Sequence, residues 1–165
     1  MKEIKLSGRK GIYGKISLVD DDHFEWLSRW KWYVIKDKNT FYATRRACKD
    51  GRYYNLLMHR AIIRKSGFFW KMTDHKDRDG LNNQKENLRE CNNSGNRMNS
   101  RIAKNNTSGF KGVCWLESRQ RWFAQIVLNK KHHSIGYFKK KNDAAIAYNK
   151  AAREMFGEFA YVNKT

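Results

Sequence analysis

The chain has 165 residues, 40% hydrophobic and 14% aromatic, which is enough to build packed cores and argues against wholesale disorder. Its 35 Lys and Arg outnumber 16 Asp and Glu, and this net charge of +19 indicates a polyanionic partner. No apolar run of about 18 residues and no apolar leader are present, so we expect no membrane span and a cytoplasmic protein. The three cysteines form no Cys-x-x-Cys pair, which argues against a disulfide framework and a thiolate zinc site.

The first 54 residues predict a small, strand-rich region. Residues 11–19 fit a strand after a glycine turn. Residues 31–35 and 40–44 fit a hairpin with its turn at 38–39, and residues 53–57 can add a further strand.

One short helix is expected within this region. The acidic run 20–22 can begin it, and apolar residues at helical spacing follow: Phe24, Leu27 and Trp30. Three nearby tryptophans are interpreted as core rather than as a base-stacking platform, because large aromatics dominate small cores: Trp26, Trp30 and Trp32.

Further elements follow along the chain. Residues 58–70 predict a helix that ends near Gly67, and a polar linker is expected over 101–107. Three strands and a helix complete the chain, at 110–116, 121–128, 132–138 and 142–156. Asn142 and Asp143 are the expected caps of this last helix, and Gly157 is expected to close it.

The candidate catalytic residues follow the helix predicted at 58–70, where Asp74 and His75 are adjacent. Hydrolysis of a phosphodiester at neutral pH needs an activated water and neutralisation of charge at phosphorus. A histidine can take a proton from water, and a neighbouring carboxylate offers a hard oxygen to a divalent cation. By itself, however, such a pair is more typical of a surface turn.

A longer pattern surrounds the pair. It reads Met-His-Arg at 58–60, Asp-His at 74–75, Gly-Leu-Asn-Asn at 80–83 and Asn-Leu-Arg at 87–89, which we expect to open a helix with further asparagines. Over residues 55–100 this pattern resembles the HNH endonuclease family, and in particular its phage and intron-encoded homing branch. The resemblance implies two strands and a helix around one metal ion, the ββα-metal core.

The resemblance assigns a role to each motif position. His75 is the general base, Asp74 and Asn96 are the metal ligands, and Asn87 orients the loop that carries the histidine. Asn96 stands where many members of the family have a histidine. The implied cofactor is one divalent ion, Mg²⁺ or alternatively Mn²⁺.

Some assignments within the motif stay open. Asn92 and Asn93 lie near enough in sequence to Asn96 to be alternative ligands. His59 either packs behind the site or takes part in catalysis, and Arg60 can contact a phosphate.

The last third of the chain has a different pattern. It contains Ser-Gly-Phe-Lys-Gly-Val-Cys-Trp at 108–115, Arg-Trp-Phe-Ala-Gln-Ile at 121–126, Ile-Gly-Tyr-Phe at 135–138 and an alanine-rich segment at 143–152. This resembles the APETALA-type (ethylene-response-factor) DNA-binding domain. The resemblance implies a three-stranded antiparallel sheet that enters the major groove of DNA and a helix that packs behind the sheet.

The expected DNA-binding face includes six side chains: Lys111, Trp115, Arg119, Arg121, Gln125 and His132. Cys114, Val127 and Ser134 stand where plant members of that family place some contacts, so the plant target sequence does not transfer.

Taken together, these features predict an α+β chain with four parts: a strand-rich region over 1–54, a nuclease core over 55–100, a linker over 101–107 and a DNA-binding domain over 108–163. The expected activity is metal-dependent, site-specific cleavage of double-stranded DNA, by a monomer that nicks or a homodimer that cuts both strands. No other protein partner is implied. The alternative is a DNA-binding regulator with an inactive nuclease core, whereas an RNA-acting nuclease is disfavoured because the major groove of A-form RNA is too narrow for a sheet.

Overall fold

The structure is a computed structural model that describes residues 1–8, 14–37, 40–69 and 71–165. The chain divides into two compact units, Met1–Cys91 and Asn92–Thr165. Each unit combines short antiparallel sheets with helices, which is consistent with the expected α+β class. No helix in the described ranges is both long and apolar enough to cross a membrane.

Within its described residues, the first unit contains three antiparallel sheets and two α-helices. Strands β1 (Lys2–Lys5) and β2 (Ile16–Val19) pair with each other, and the three-stranded sheet has the order β3-β4-β5. The remaining elements are β3 (Tyr33–Asp37), β4 (Thr40–Lys49), β5 (Arg52–Leu57), α1 (Asp21–Ser28), α2 (Met58–Lys65) and the hairpin of β6 (Thr73–His75) with β7 (Leu88–Glu90).

Most expected elements of this unit are present. The hairpin strands, the strand after it and the helix after the acidic run agree with β3, β4, β5 and α1. The expected turn at 38–39 and part of the expected strand at 11–19 lie outside the described residues. Helix α2 ends at Lys65, and Gly67 follows with a left-handed φ of 82°.

Two of the three tryptophans belong to the core of the first unit, and the third is exposed. Trp32 is buried with Leu27 and Met58, and Trp26 packs against this core, so both are core residues as predicted. The prediction is wrong for Trp30, which is 49% exposed and lies beneath the guanidinium of Arg45 at 4.0 Å. Its position just beyond the end of α1 removes it from the helical face that packs inward.

The expected helix start at Asn-Leu-Arg is wrong. Leu88–Glu90 form strand β7 because they pair with Thr73–His75 of β6. The helix begins six residues after Asn87, as α3 (Asn93–Met98), where the Asn92 side chain accepts a hydrogen bond from the Gly95 backbone N–H at 2.9 Å. Two strands and a helix therefore follow one another in the expected sequence order.

The second unit consists of α3, a three-stranded sheet and the longest helix. The sheet has the order β10-β9-β8 and is antiparallel. Its elements are β8 (Val113–Leu116), β9 (Arg121–Leu128) and β10 (Lys131–Phe138), followed by α4 (Lys141–Phe156). The predicted linker over 101–107 belongs to this unit, since the division of the chain falls after Cys91.

Helix α4 packs its small residues against one face of the sheet. Ala144, Tyr148 and Ala152 form a buried cluster with Ala124 and Ile126 of β9. The predicted sheet packed on one helix is thus present.

The sequence predicted the C-terminal end of α4 but not its N-terminal cap. The expected side-chain caps Asn142 and Asp143 lie inside the first turn, because the helix starts after Lys140 and has no side-chain cap. Gly157 ends the helix as predicted, with a positive φ of 53° that favours glycine.

Candidate active site

The β6–β7 hairpin and the loop that joins its strands hold the residues singled out in the sequence. Asp74 and His75 are the last two residues of β6, and both side chains are buried. Asn87 ends a short 3-10 turn, Lys85–Asn87, immediately before β7. The structure therefore brings three of the four predicted core residues onto one hairpin of the first unit.

The Asn87 side chain closes this loop. Its Oδ1 accepts a hydrogen bond from the Asp77 backbone N–H at 3.1 Å, and its Nδ2 donates to the Asn82 carbonyl at 2.8 Å and to Asp77 Oδ1 at 3.0 Å. The Asn87 carbonyl also accepts from the Lys76 backbone N–H at 2.9 Å. One amide thus ties the residue two positions after His75 to the far side of the loop.

The tip of the loop packs closely against β4. The Gly80 backbone N–H donates to Thr40 Oγ1 at 3.1 Å. A Cβ atom at Gly80 would overlap the Phe41 carbonyl oxygen and lie 2.5 Å from a ring carbon of Tyr42. Only glycine fits this close approach, so the three-stranded sheet β3-β4-β5 fixes the position of the loop.

His75 lies in an enclosed, largely aromatic environment. Its ring centroid is 5.0 Å from that of His59 and 5.8 Å from that of Tyr42, and its Nε2 is 3.4 Å from Asn83 Oδ1. Burial lowers the pKa of His75 below its usual value, so the imidazole is neutral at neutral pH. A general base needs this unprotonated form.

His59 faces His75 from helix α2. It is buried, and its ring centroid lies 5.7 Å from that of Tyr42. Burial lowers the pKa of His59 to about 3, so this ring stays neutral across the physiological range. These contacts favour the packing role over the catalytic one.

Asp74 forms a buried ion pair that the motif did not reveal. The Arg89 guanidinium donates to Asp74 Oδ2 from Nε at 3.0 Å and from Nη2 at 2.6 Å. The register of the hairpin places the two residues directly opposite each other. Arg89 is part of the Asn-Leu-Arg motif, but the sequence does not show its partner, which follows from the pairing of β6 with β7.

Of the two predicted metal ligands, Asp74 lies on the hairpin, where its Oδ2 accepts both of these guanidinium contacts. The other predicted ligand, Asn96, lies exposed on α3 in the second unit, as does Asn93. The third candidate, Asn92, uses its side-chain oxygen to cap α3, which makes it the poorest ligand of the three.

A second cluster of oxygen and nitrogen donors lies away from the motif. The potential ligand atoms of Asp20, Asp22 and His23 are within 4.8 Å of one another. Lys85 already contacts both carboxylates, because its Nζ donates to Asp22 at 2.8 Å and its backbone N–H donates to Asp20 at 2.7 Å. The cluster therefore anchors the start of the 3-10 turn that carries Asn87.

One face of the second unit's sheet is open, because α4 covers the other. Arg121 and Gln125 alternate along β9 with the buried Ala124 and Ile126 and therefore point to the open face. His132 of β10 lies beside them, with its Nδ1 3.2 Å from Gln125 Oε1. Three of the six predicted DNA contacts thus share this face.

Aromatic side chains complete the open face, and the sequence reasoning did not identify them. Phe123 and Tyr137 stack with their ring centroids 4.9 Å apart. The guanidinium of Arg119, a fourth predicted contact, lies 4.5 Å from the Tyr137 ring centroid. Strand alternation from Arg121 and Gln125 was the signal that could have found Phe123.

Lys111 and Trp115 lie elsewhere than expected. The Lys111 ammonium donates to the carbonyls of Met98 at 2.7 Å and Ser100 at 2.8 Å, so it caps the end of α3. Trp115 pairs across the strands with Trp122, which places it on the side of the sheet that faces α4. The remaining predicted contact, Arg60, is exposed on α2 in the first unit.

Comparison with known proteins identifies the family of the chain. Over 161 residues the chain is 33% identical to the uncharacterized HNH endonuclease L560 of Acanthamoeba polyphaga mimivirus, a match that covers 96% of this chain and 79% of that protein. The chain belongs to the HNH endonuclease family. This HNH protein is also 33% identical over 87 residues to Protein 3.8 of Escherichia phage T7, covering 53% of this chain and 71% of that one. No family model and no solved structure matches it.

The Asp74–Arg89 pair gives a direct test of the hairpin. Arg89→Met should lower the free energy of unfolding by about 3–5 kcal/mol, because it leaves a buried carboxylate without its cationic partner. The double variant Asp74→Leu/Arg89→Met should recover part of that loss. Urea denaturation at neutral pH measures both values.

A matched control is the exposed pair of Lys85 with Asp22. Those side chains are 49% and 60% exposed, against 7% and 9% for Arg89 and Asp74. Lys85→Met should therefore cost far less than Arg89→Met. Equal losses in the two variants would contradict the buried pair described for the hairpin.

Proposed function

We propose that this protein is a metal-dependent endonuclease that hydrolyses a phosphodiester of double-stranded DNA and uses its second unit to hold the DNA. The observation that carries the proposal is the buried, neutral His75 beside Asp74 on a loop that Asn87 closes. Family membership supports a nuclease, and the net charge of +19 supports a polyanionic substrate.

In the proposed reaction His75 acts as the general base. It accepts a proton from a water molecule while the oxygen of that water forms a bond to phosphorus. The bond between phosphorus and the 3′ oxygen then breaks, and the leaving oxygen takes its proton from solvent. Asn87 has a positioning role, since its hydrogen bonds keep the residues after His75 in place.

Asp74 offers the carboxylate oxygen that would ligate a cation in such a reaction. One divalent ion, Mg²⁺ or Mn²⁺, would neutralise charge on the phosphate and on the leaving oxygen when bound. Asp74 would hold it through a carboxylate oxygen, and Asn96 stays the sequence-based prediction for a second oxygen ligand. Few protein ligands suit Mg²⁺, which keeps several waters.

The open face of the β8–β10 sheet is the proposed DNA-binding surface. It presents Arg119, Arg121, Gln125 and His132, which combine positive charge with groups able to reach base edges. A three-stranded sheet backed by one helix is the arrangement that the APETALA-type resemblance implies. Site-specific cleavage of the homing type would depend on this face, because phosphate chemistry alone carries no sequence information.

The catalytic half of the proposal is tested by cleavage of supercoiled plasmid. We expect His75→Ala to cut about 10²–10⁴-fold more slowly than the wild-type protein in Mg²⁺ or Mn²⁺, because a general base is worth that much. DNA affinity should be unchanged, since the neutral imidazole contributes no charge. Open circular product would indicate a nick and linear product a double cut.

Two controls accompany this assay. His133→Ala removes an exposed histidine of β10 and should cut at the wild-type rate. Excess chelator should abolish cleavage by the wild-type protein. If the wild-type protein and His133→Ala both fail to cut DNA in Mg²⁺ and in Mn²⁺, the alternative of a DNA-binding regulator with an inactive nuclease core replaces the proposal.

The DNA-binding half is tested by a matched pair of arginines. Arg121→Ala should weaken binding, either by about 1–3 kcal/mol at one base position or uniformly with a salt slope shallower by about one. Arg153→Ala removes the same charge from the exposed surface of α4 and should have little effect. Fluorescence anisotropy at several salt concentrations, in a His75→Ala background, measures both. Equal weakening by the two variants would show that only net charge matters.

A further inference from the structure

A basic groove in the first unit lies away from the β6–β7 hairpin. It lies between the turn of the β4–β5 hairpin and the C-terminal end of α2, and its volume is about 860 Å³. Three cations, one carboxylate and two aromatic rings line it: Lys49, Asp50, Arg52, Tyr54, Arg64 and Phe69. Neither the proposed hydrolysis nor the proposed contact of the β8–β10 sheet with DNA uses any of these side chains.

The turn of the β4–β5 hairpin presents two of the cations side by side. Asp50 and Gly51 form a two-residue turn with left-handed φ values of 50° and 74°, which is the geometry that suits a tight β-hairpin. Lys49 and Arg52 are directly paired across this turn. Like charges directly opposite each other in a sheet are destabilising, so a bound anion would relieve the repulsion between them.

No ion pair neutralises the cations of the groove among the residues that the structure describes. Lys49, Arg52 and Arg64 are all exposed, and the ion pairs of the described residues involve other side chains. Three cations against the single carboxylate of Asp50 leave the groove with a net positive charge. Its volume lies in the range of ligand-binding clefts, which suits an anion larger than a single phosphate.

Two exposed aromatic rings lie among these cations. Tyr54 follows Arg52 on the same face of β5 and is 39% exposed. Phe69, which comes shortly after the end of α2, is 86% exposed. An apolar ring in water gains free energy when a flat partner covers it. Unpaired nucleobases are such partners, since they stack on aromatic side chains in grooves that also hold the phosphate backbone with positive charge.

We propose that this groove binds single-stranded DNA, with phosphates on the three cations and unpaired bases stacked on Tyr54 and Phe69. A duplex fits less well, because its bases already stack on one another and would leave both rings uncovered. An acidic peptide would match the charge of the groove but would also leave the rings uncovered. The choice of DNA as the nucleic acid rests on the proposed function.

The groove is separate from the active site, although both belong to the first unit. Tyr42, whose ring packs near that of His75, and Lys49 are seven residues apart on β4. Seven residues of strand span about 23 Å, which corresponds to about seven base-pair steps of duplex DNA. The groove therefore holds unpaired nucleotides several steps away from the phosphate that is cut, and it takes no part in the hydrolysis.

The first test measures binding by fluorescence anisotropy, with a labelled oligothymidylate and, separately, with a duplex of the same length. The full-length protein carries His75→Ala and is metal-free, and about 0.2 M salt suppresses binding by net charge alone. Tyr54→Ala and Phe69→Ala should each weaken oligothymidylate binding about 5–150-fold, the effect of removing one stacking ring. Duplex affinity should be unchanged, because neither substitution alters the charge.

Tyr53→Ala is the matched control for Tyr54→Ala. Tyr53 precedes Tyr54 on β5 and therefore lies on the opposite face, where the Arg46 guanidinium is 5.1 Å from its ring centroid. It is 69% exposed, and its removal should leave both affinities unchanged. Equal losses in Tyr53→Ala and Tyr54→Ala would overturn the proposal, as would unchanged oligothymidylate binding in both Tyr54→Ala and Phe69→Ala.

The second test addresses the cations. Arg52→Gln should weaken oligothymidylate binding and make its salt slope shallower by about 0.7, whereas Arg29→Gln, which removes the same charge from an exposed residue after α1, should have little effect. If Arg52→Gln weakens duplex binding alone, the groove holds a duplex backbone and the proposal is wrong. Tighter binding of oligouridylate than of oligothymidylate, lost in Tyr54→Ala, would overturn the choice of DNA. A wild-type protein that binds oligothymidylate in this groove but cuts no DNA would refute the proposed function alone.

Discussion

The closed loop between β6 and β7 is the constraint on which the site depends. A histidine at the end of a three-residue strand has little local structure to fix it, and a two-stranded hairpin is marginal by itself. The Asn87 amide and the close approach of Gly80 to β4 supply the missing order. The first needs the amide side chain at position 87, and the second needs the absence of a Cβ atom at position 80.

Electrostatics at the hairpin differ from those of the chain as a whole. The protein carries a large positive charge, yet the hairpin buries a carboxylate and keeps two neighbouring imidazoles neutral. Burial accounts for the neutral rings, and Arg89 compensates the charge of Asp74. Positive charge on the open face of the second unit's sheet lies at the surface, where the proposed contact with phosphate needs it. The proposed hydrolysis and the proposed DNA binding therefore use chemically distinct surfaces.

The sequence predicted those features that local pattern controls. Alternation and helical spacing predicted most strands and helices. The motif singled out Asp74, His75 and Asn87, which the structure places on one hairpin, but it predicted a helix where strand β7 follows Asn87. Features that depend on strand register or distant partners were missed, such as the ion pair of Asp74 and the α4-facing side of Trp115. Asn83 donates a hydrogen bond to Ser17, but the two residues are 66 positions apart, so no local pattern connects them. The sequence also did not show that the Lys111 ammonium donates to carbonyls at the end of α3, because these partners lie 11 to 13 positions away.

The most direct test of the closed loop combines two measurements on Asn87→Ala. The Asp77 backbone N–H, which donates to Asn87 Oδ1, should exchange with deuterium faster than in the wild-type protein, and plasmid cleavage should slow by about 10–100-fold with DNA affinity unchanged. Helix α2 should keep its protection, which separates opening of the loop from general unfolding. Faster exchange at Asp77 with cleavage at the wild-type rate would contradict the claim that loop closure positions His75 for hydrolysis.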